Sequence, residues 1–181
     1  MINDLKEVLI SEETITKRVK ELGAEISKDY NDPNRKLLIV GILKGSVIFA
    51  SELIKNITRP CEIDFMALSS YGNSSETSGV VRILKDLDNG IEGNDIIIVE
   101  DIIDSGTTLD YLLKYLKAKD ANSIEIATLL TKPSRRKVDI NVKYLGFEVP
   151  DEFIVGYGLD YAEKYRNLPF IGILKEEVYK K

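Results

Sequence analysis

"IIIVEDIIDSGTTL", residues 96–109, decides how this chain is read. Four aliphatic residues, Ile96 to Val99, run into the acidic pair Glu100-Asp101, and Asp104, Ser105, Gly106, Thr107 and Thr108 follow closely. A short continuous apolar run is the pattern of a strand covered on both faces. Leu109, Leu112, Leu113 and Leu116 then recur at helical spacing, so a helix starts just past the hydroxyl-rich turn. Three carboxylates so close together repel one another and resist burial, and a positive partner is expected beside them. In open α/β sheets, ligands bind beyond the carboxyl ends of the strands, which is where Glu100 and Asp101 would stand. The loop from Asp104 to Thr108 would offer unpaired backbone N–H groups and the positive end of a helix dipole to an anion. Gly106 lets the backbone come close, and Ser105, Thr107 and Thr108 add hydroxyl donors. This reads as a phosphate cradle with an acidic pair upstream, for a ligand carrying a phosphate and hydroxyls or Mg²⁺. The plainer alternative is N-capping by Asp104 or Ser105 beside a solvated acidic pair. It accounts for the caps but not for cradle and acidic pair together.

The flanking sequence alternates in the same way. "KLLIVGIL", "CEIDFMAL", "VVRILKDL" and "SIEIATLLT" read as strands, and "SVIFASELIKN" as a helix. Ile15, Val19, Leu22 and Ile26 form a helical stripe behind Ser11, a good N-cap, with Glu12 and Glu13 in the first turn. Alternating strands and helices predict an α/β fold with a mainly parallel sheet and flanking helices. The aromatic-rich final third reads as an attachment to that sheet, so residues 1–181 form one domain. "SSYGNSSETSG", residues 69–79, is polar and too long for a tight hairpin, and reads as a catalytic lid.

Composition removes whole classes of chemistry. The chain has 181 residues, a formal net charge of −5 and no histidine. Ser-His-Asp and Cys-His catalysis and histidine-ligated zinc are therefore excluded, and acid–base work falls to Asp, Glu, Lys or Tyr. A metal would be a hard cation on carboxylate and substrate oxygens, which suits Mg²⁺. The negative charge argues against a nucleic-acid partner, and Arg135-Arg136-Lys137 reads as a solvated turn. No apolar stretch reaches membrane-spanning length, and neither a signal peptide nor a membrane partner is expected. The single cysteine, Cys61, excludes an intrachain disulfide, fits a cytoplasmic location and reads as a buried, inert thiol. "GILKGSV" lacks the lysine of a P-loop, and "GYGLDY" lacks the third glycine of a dinucleotide fingerprint.

"VEDIIDSGTT" resembles the phosphoribosyl-pyrophosphate signature of type I phosphoribosyltransferases. "GILKGS", "SSYG", "VRILKDL", "LLTKPSRRK", "GFEVPDEFIVGYGLDY" and "KYRNLPFIGIL" extend the resemblance to the hypoxanthine-guanine branch, particularly its bacterial members. The resemblance implies the type I phosphoribosyltransferase fold, with a small hood built largely from the C-terminal segment. It implies transfer of a 5-phosphoribosyl group from phosphoribosyl pyrophosphate to hypoxanthine and guanine in purine salvage. The products are IMP, GMP and pyrophosphate, with Mg²⁺ as cofactor and a homo-oligomer, dimer or tetramer, as the assembly.

Site roles follow from the same resemblance. Lys44, Gly45 and Arg166 meet pyrophosphate, with a cis peptide at Leu43-Lys44. Glu100 and Asp101 face the ribose hydroxyls and Mg²⁺, and Asp160 is a second Mg²⁺ contact beside the purine. Ser105, Gly106, Thr107 and Thr108 hold the 5′-phosphate. Asp104 joins them and acts as general acid/base at purine N7. Lys132 donates to the 6-oxo group, Phe153 stacks on the purine and the Ile154 backbone meets its edge. Ser70 and Tyr71 are the working residues of the lid. Rival readings are a nucleotide-sensing regulator on the same fold, an acidic-pocket receiver domain, and transfer to xanthine or adenine.

Overall fold

The computed structural model describes residues 1–70 and 81–180. The expected lid lies outside the described residues, apart from Ser69 and the backbone of Ser70, which end a strand. Elements follow in the order β1 (Leu5–Ile10), α1 (Glu12–Asp29), β2 (Leu37–Leu43), α2 (Val47–Lys55), β3 (Glu62–Ser70) and β4 (Val81–Lys85). The chain continues with β5 (Asp95–Ile103), α3 (Thr107–Lys117), β6 (Ser123–Thr131), β7 (Tyr144–Glu148), β8 (Ile154–Val155), β9 (Ile171–Leu174) and α4 (Glu176–Tyr179).

Six strands form the main sheet in the order β4-β3-β2-β5-β6-β7. All neighbours pair in parallel except β3 and β4, which are antiparallel. The continuous apolar runs have the cause expected of them: alternate side chains of one strand enter opposite cores. Leu37, Ile39, Ile97 and Val99 pack with α1 and α2 on one face. Leu38, Val40, Ile96 and Ile98 pack with α3 on the other. Ser11 caps α1 by accepting from the Thr14 N–H, and Ile15, Val19, Leu22 and Ile26 are its buried stripe. Cys61 is only partly buried, just ahead of β3, so the expectation of a buried thiol is corrected; burial nevertheless pushes its thiol pKa up.

The hood is a three-stranded sheet in the order β1-β9-β8, antiparallel at both joins. One of its strands comes from the N-terminus, so the C-terminal segment alone does not build it. Leu5, Val155, Tyr165, Leu168 and Leu174 form its small core, and the hydroxyl of Tyr165 donates to Asp4. Among the described residues, no helix is long and apolar enough to cross a membrane.

Candidate active site

The chain leaves β2 through α2 toward β3 on one side, and leaves β5 through α3 toward β6 on the other. The sheet order therefore reverses between β2 and β5, and a crevice opens at their carboxyl ends. Register brings the expected residues to this edge. Gly41 pairs with Val99, so Glu100 and Asp101 lie beside the end of β2, where Lys44 and Gly45 follow. Ile103 pairs with Thr131, and the Lys132 N–H donates to the Ile103 carbonyl at 3.0 Å.

Asp101 approaches the chain after β2 closely. A Cβ at Gly45 would fall 1.7 Å from Asp101 Oδ2, and one at Gly158 would fall 2.0 Å from the Gly45 carbonyl oxygen. These glycines stack three segments: the loop after β2, the end of β5 and the turn after β8. The Leu43–Lys44 peptide is cis. Lys44 reaches Glu163 at 3.2 Å, exposed to solvent. Arg166 donates to the Gly158 carbonyl at 2.8 Å and pairs with Asp160 at 2.9 Å, while its buried Nε has no hydrogen-bond partner among the described residues. The other Asp160 oxygen accepts from the Glu163 N–H at 2.8 Å.

Electrostatics single out the acidic pair. Burial, reinforced by repulsion from Asp101, holds the Glu100 carboxyl well above the usual range. Burial also pushes Asp101 up to about 6, against hydrogen bonds from the Ile102 and Asp101 N–H groups and the pull of Arg166. Two desolvated carboxylates without a full counter-charge form a donor set that suits a hard divalent cation. Among the described residues, no group of three or more acidic, histidine or cysteine side chains is placed to hold a metal. Asp160, the third residue expected at the metal, is paired with Arg166 here.

The cradle takes the expected place. Gly106, at φ 84°, is the N-cap residue of α3 and supplies no capping side chain, so neither Asp104 nor Ser105 is the cap. A cavity of about 220 Å³ opens there, lined by Glu100, Ile102, Asp104, Ser105, Gly106 and Thr108. Thr107 does not line it; its N–H reaches Ser105 Oγ at 3.4 Å. A second cavity of about 470 Å³ lies alongside, and Lys132, Phe153, Ile154 and Asp160 all line it. Ile102 and Asp104 belong to both. The ammonium of Lys132 donates to the Glu152 carbonyl at 2.7 Å and lies 3.9 Å from Asp151. Burial lowers its pKa, opposed by Asp104 and Asp151.

Several contributors escaped the sequence reading. Ile102 looks like strand filler, yet it joins the two cavities. The Arg135-Arg136-Lys137 cluster is an exposed turn, as expected, but it also has partners at the site. Arg135 sits 2.8 Å from Asp104 and 3.3 Å from Asp151, and Arg136 donates to Thr131 at 2.5 Å. The Lys137 N–H donates to the Ser105 carbonyl at 2.9 Å, so this segment braces the cradle from behind. Tyr179 also lines the larger cavity, and nothing in "EEVYKK" marks it.

Comparison with known proteins places the chain in a family. The phosphoribosyl transferase domain family matches residues 9–162. A hypoxanthine-guanine phosphoribosyltransferase of Bacillus subtilis (strain 168) is 58% identical over 99% of this chain and 98% of its own length. One from Staphylococcus aureus (strain Mu50) is 56% identical over 99% of each chain. Among solved structures, a hypoxanthine phosphoribosyltransferase from Staphylococcus aureus superposes with a TM-score of 0.96 at 55% identity. The alignment covers 100% of this chain and 97% of that one.

Proposed function

The chain belongs to the phosphoribosyl transferase family, and from that premise we propose that it transfers a 5-phosphoribosyl group from phosphoribosyl pyrophosphate to hypoxanthine and guanine. The observation that carries the reading is the sharing of Ile102 and Asp104 by two cavities, an anion cradle at a helix N-terminus and an aromatic-walled pocket with a buried lysine. A nucleotide has those two ends, and the bond being made lies between them.

In this reading the N–H groups and hydroxyls of the cradle bind the 5′-phosphate. Glu100 and Asp101 face the ribose. Attack by purine N9 on the anomeric carbon makes the C–N bond as the bond to pyrophosphate oxygen breaks, through an oxocarbenium-like sugar. Asp104 accepts the proton that purine N7 gives up. Lys44, the Gly45 N–H and Arg166 hold the departing pyrophosphate. Glu100 and Asp101, with substrate oxygens, would hold Mg²⁺, which supplies charge neutralisation for the leaving group when bound. Lys132 has hydrogen-bonding capacity left beyond its bond to Glu152 and donates to the 6-oxo oxygen, while Ile102 and Phe153 bracket the ring. An amino group at C6 would set donor against donor there.

The test is direct. Purified protein supplied with phosphoribosyl pyrophosphate, Mg²⁺ and hypoxanthine or guanine should form IMP or GMP with release of pyrophosphate, and chelation should abolish both. Absence of nucleotide from either base would overturn the reading. Its remaining elements rest on the sequence and the resemblance: a single domain acting in the cytoplasm, as a homo-oligomer of two or four copies, without nucleic-acid or membrane partners.

A further inference from the structure

The purine-binding reading leaves one aromatic ring without a part to play. Tyr179, in the last turn of α4, stacks on Phe153 with ring centroids 4.7 Å apart and planes inclined by 29°. Tyr161 meets the same Phe153 ring edge-on, at 5.3 Å and 87°. Both Phe153 and Tyr179 line the cavity that also holds Lys132, Asp104 and Ile154.

The helix that carries Tyr179 is tied down. The Lys175 N–H donates to the Asp4 carbonyl at 2.9 Å, and its ammonium donates to the Asn3 carbonyl at 2.7 Å. Val178 and Tyr179 pack on the hood core, and Lys180 pairs with Glu176 at 2.9 Å. The platform is pinned from its other side too, because the Leu174 N–H donates to the Phe153 carbonyl at 2.8 Å.

We propose that Tyr179 is a positioning residue for the purine site: it backs one face of Phe153 and fixes the ring plane, so that the opposite face is presented to the base. The inference deepens the proposed transferase reading and rests on it. Phe153 lies in the connection ahead of the two-residue strand β8, where little regular structure constrains a side chain. An unbacked ring there would sample several rotamers, and each base would have to order it on arrival, which weakens binding. Offset stacking on Tyr179 supplies that order beforehand. The hydroxyl plays no part in this account; the ring does.

Steady-state kinetics on Tyr179→Ala, Tyr179→Leu and Tyr179→Phe test the proposal, each substrate being varied separately. The expected result is a KM for hypoxanthine and guanine raised about five- to ten-fold in the Ala and Leu variants, with kcat and the KM for phosphoribosyl pyrophosphate near wild type. The Phe variant should behave as wild type. The Leu variant keeps apolar bulk on the hood, and loss of folding would impair both substrates together, so a purine-selective effect cannot come from instability. Unchanged purine KM in the Ala and Leu variants overturns the proposal, and a lowered one would show Tyr179 competing with the base. An inactive wild type would instead remove the transferase reading itself, and this inference with it.

Discussion

Asp104 carries two loads that a single substitution separates. It lines both cavities, and its buried Oδ1 lies 2.8 Å from Arg135 Nε as an ion pair, without a hydrogen bond among the described residues. Gly106, not Asp104, starts α3, so Asp104→Asn should leave the cradle intact. Expected is a fall in kcat of roughly 10²-fold with donor binding near normal, read by single-turnover kinetics beside equilibrium binding. Wild-type turnover in that variant would end the proton-transfer role. Lys132→Ala removes a buried cation from the lining of the larger cavity, and on the proposed reading should cost on the order of 2 kcal/mol in purine affinity. Its affinity for phosphoribosyl pyrophosphate should hardly change; an equal loss for both substrates would show general damage to the edge. Asp101 gives a pH test. Its carboxyl is held at about 6, above the ordinary value of 3.8. Between those values the folded protein binds more protons than the unfolded chain, so stability of the metal-free protein falls as pH rises through that window. Asp101→Asn should flatten that slope and stabilise the metal-free protein near neutral pH by about 1–2 kcal/mol. Thermal unfolding between pH 4 and 7 would reveal it, and an unchanged slope would mean the carboxylate is already solvated.

At the scale of elements, the site is an assembly of turns. The loop after β2, the end of β5 and the turn after β8 touch where glycines leave room. Gly158 has φ 105°, and a Cβ there would meet the Gly45 carbonyl at 2.0 Å, backbone against which no side chain can yield. Gly158→Ala should therefore destabilise the fold by about 2–4 kcal/mol and disturb Gly45 and Arg166 together. A thermal midpoint equal to wild type would show that the turn can slide. Such contacts explain which parts could be read from sequence. The strands β2, β5 and β6 were legible because continuous apolar runs have one economical solution, burial on both faces. The cradle was legible because its chemistry is local to residues 104–108. Strand β1 was not: its exposed Lys6, Glu7 and Val8 obscure any pattern, and only pairing with β9 gives it form. The brace of Arg135 to Lys137 escaped for the same reason, since a basic run looks alike in solvent and behind a phosphate loop.

Taken as a whole, the molecule is a sheet edge with a hood over it. The edge supplies the ends of β2 and β5, and the hood brings β8 and α4 to the cavity that Lys132 lines. Lys132 stands at the meeting point, at the end of β6, with its ammonium held by the carbonyl of Glu152, one residue before Phe153. On the proposed reading, a 6-oxopurine is recognised there and joined to a phosphoribosyl group bound at the cradle. The most direct measurement is kcat/KM for hypoxanthine, guanine and adenine with saturating phosphoribosyl pyrophosphate and Mg²⁺. Both 6-oxopurines should be used, and adenine should be disfavoured by about 10³-fold or more. Formation of AMP at a rate comparable to IMP would contradict it.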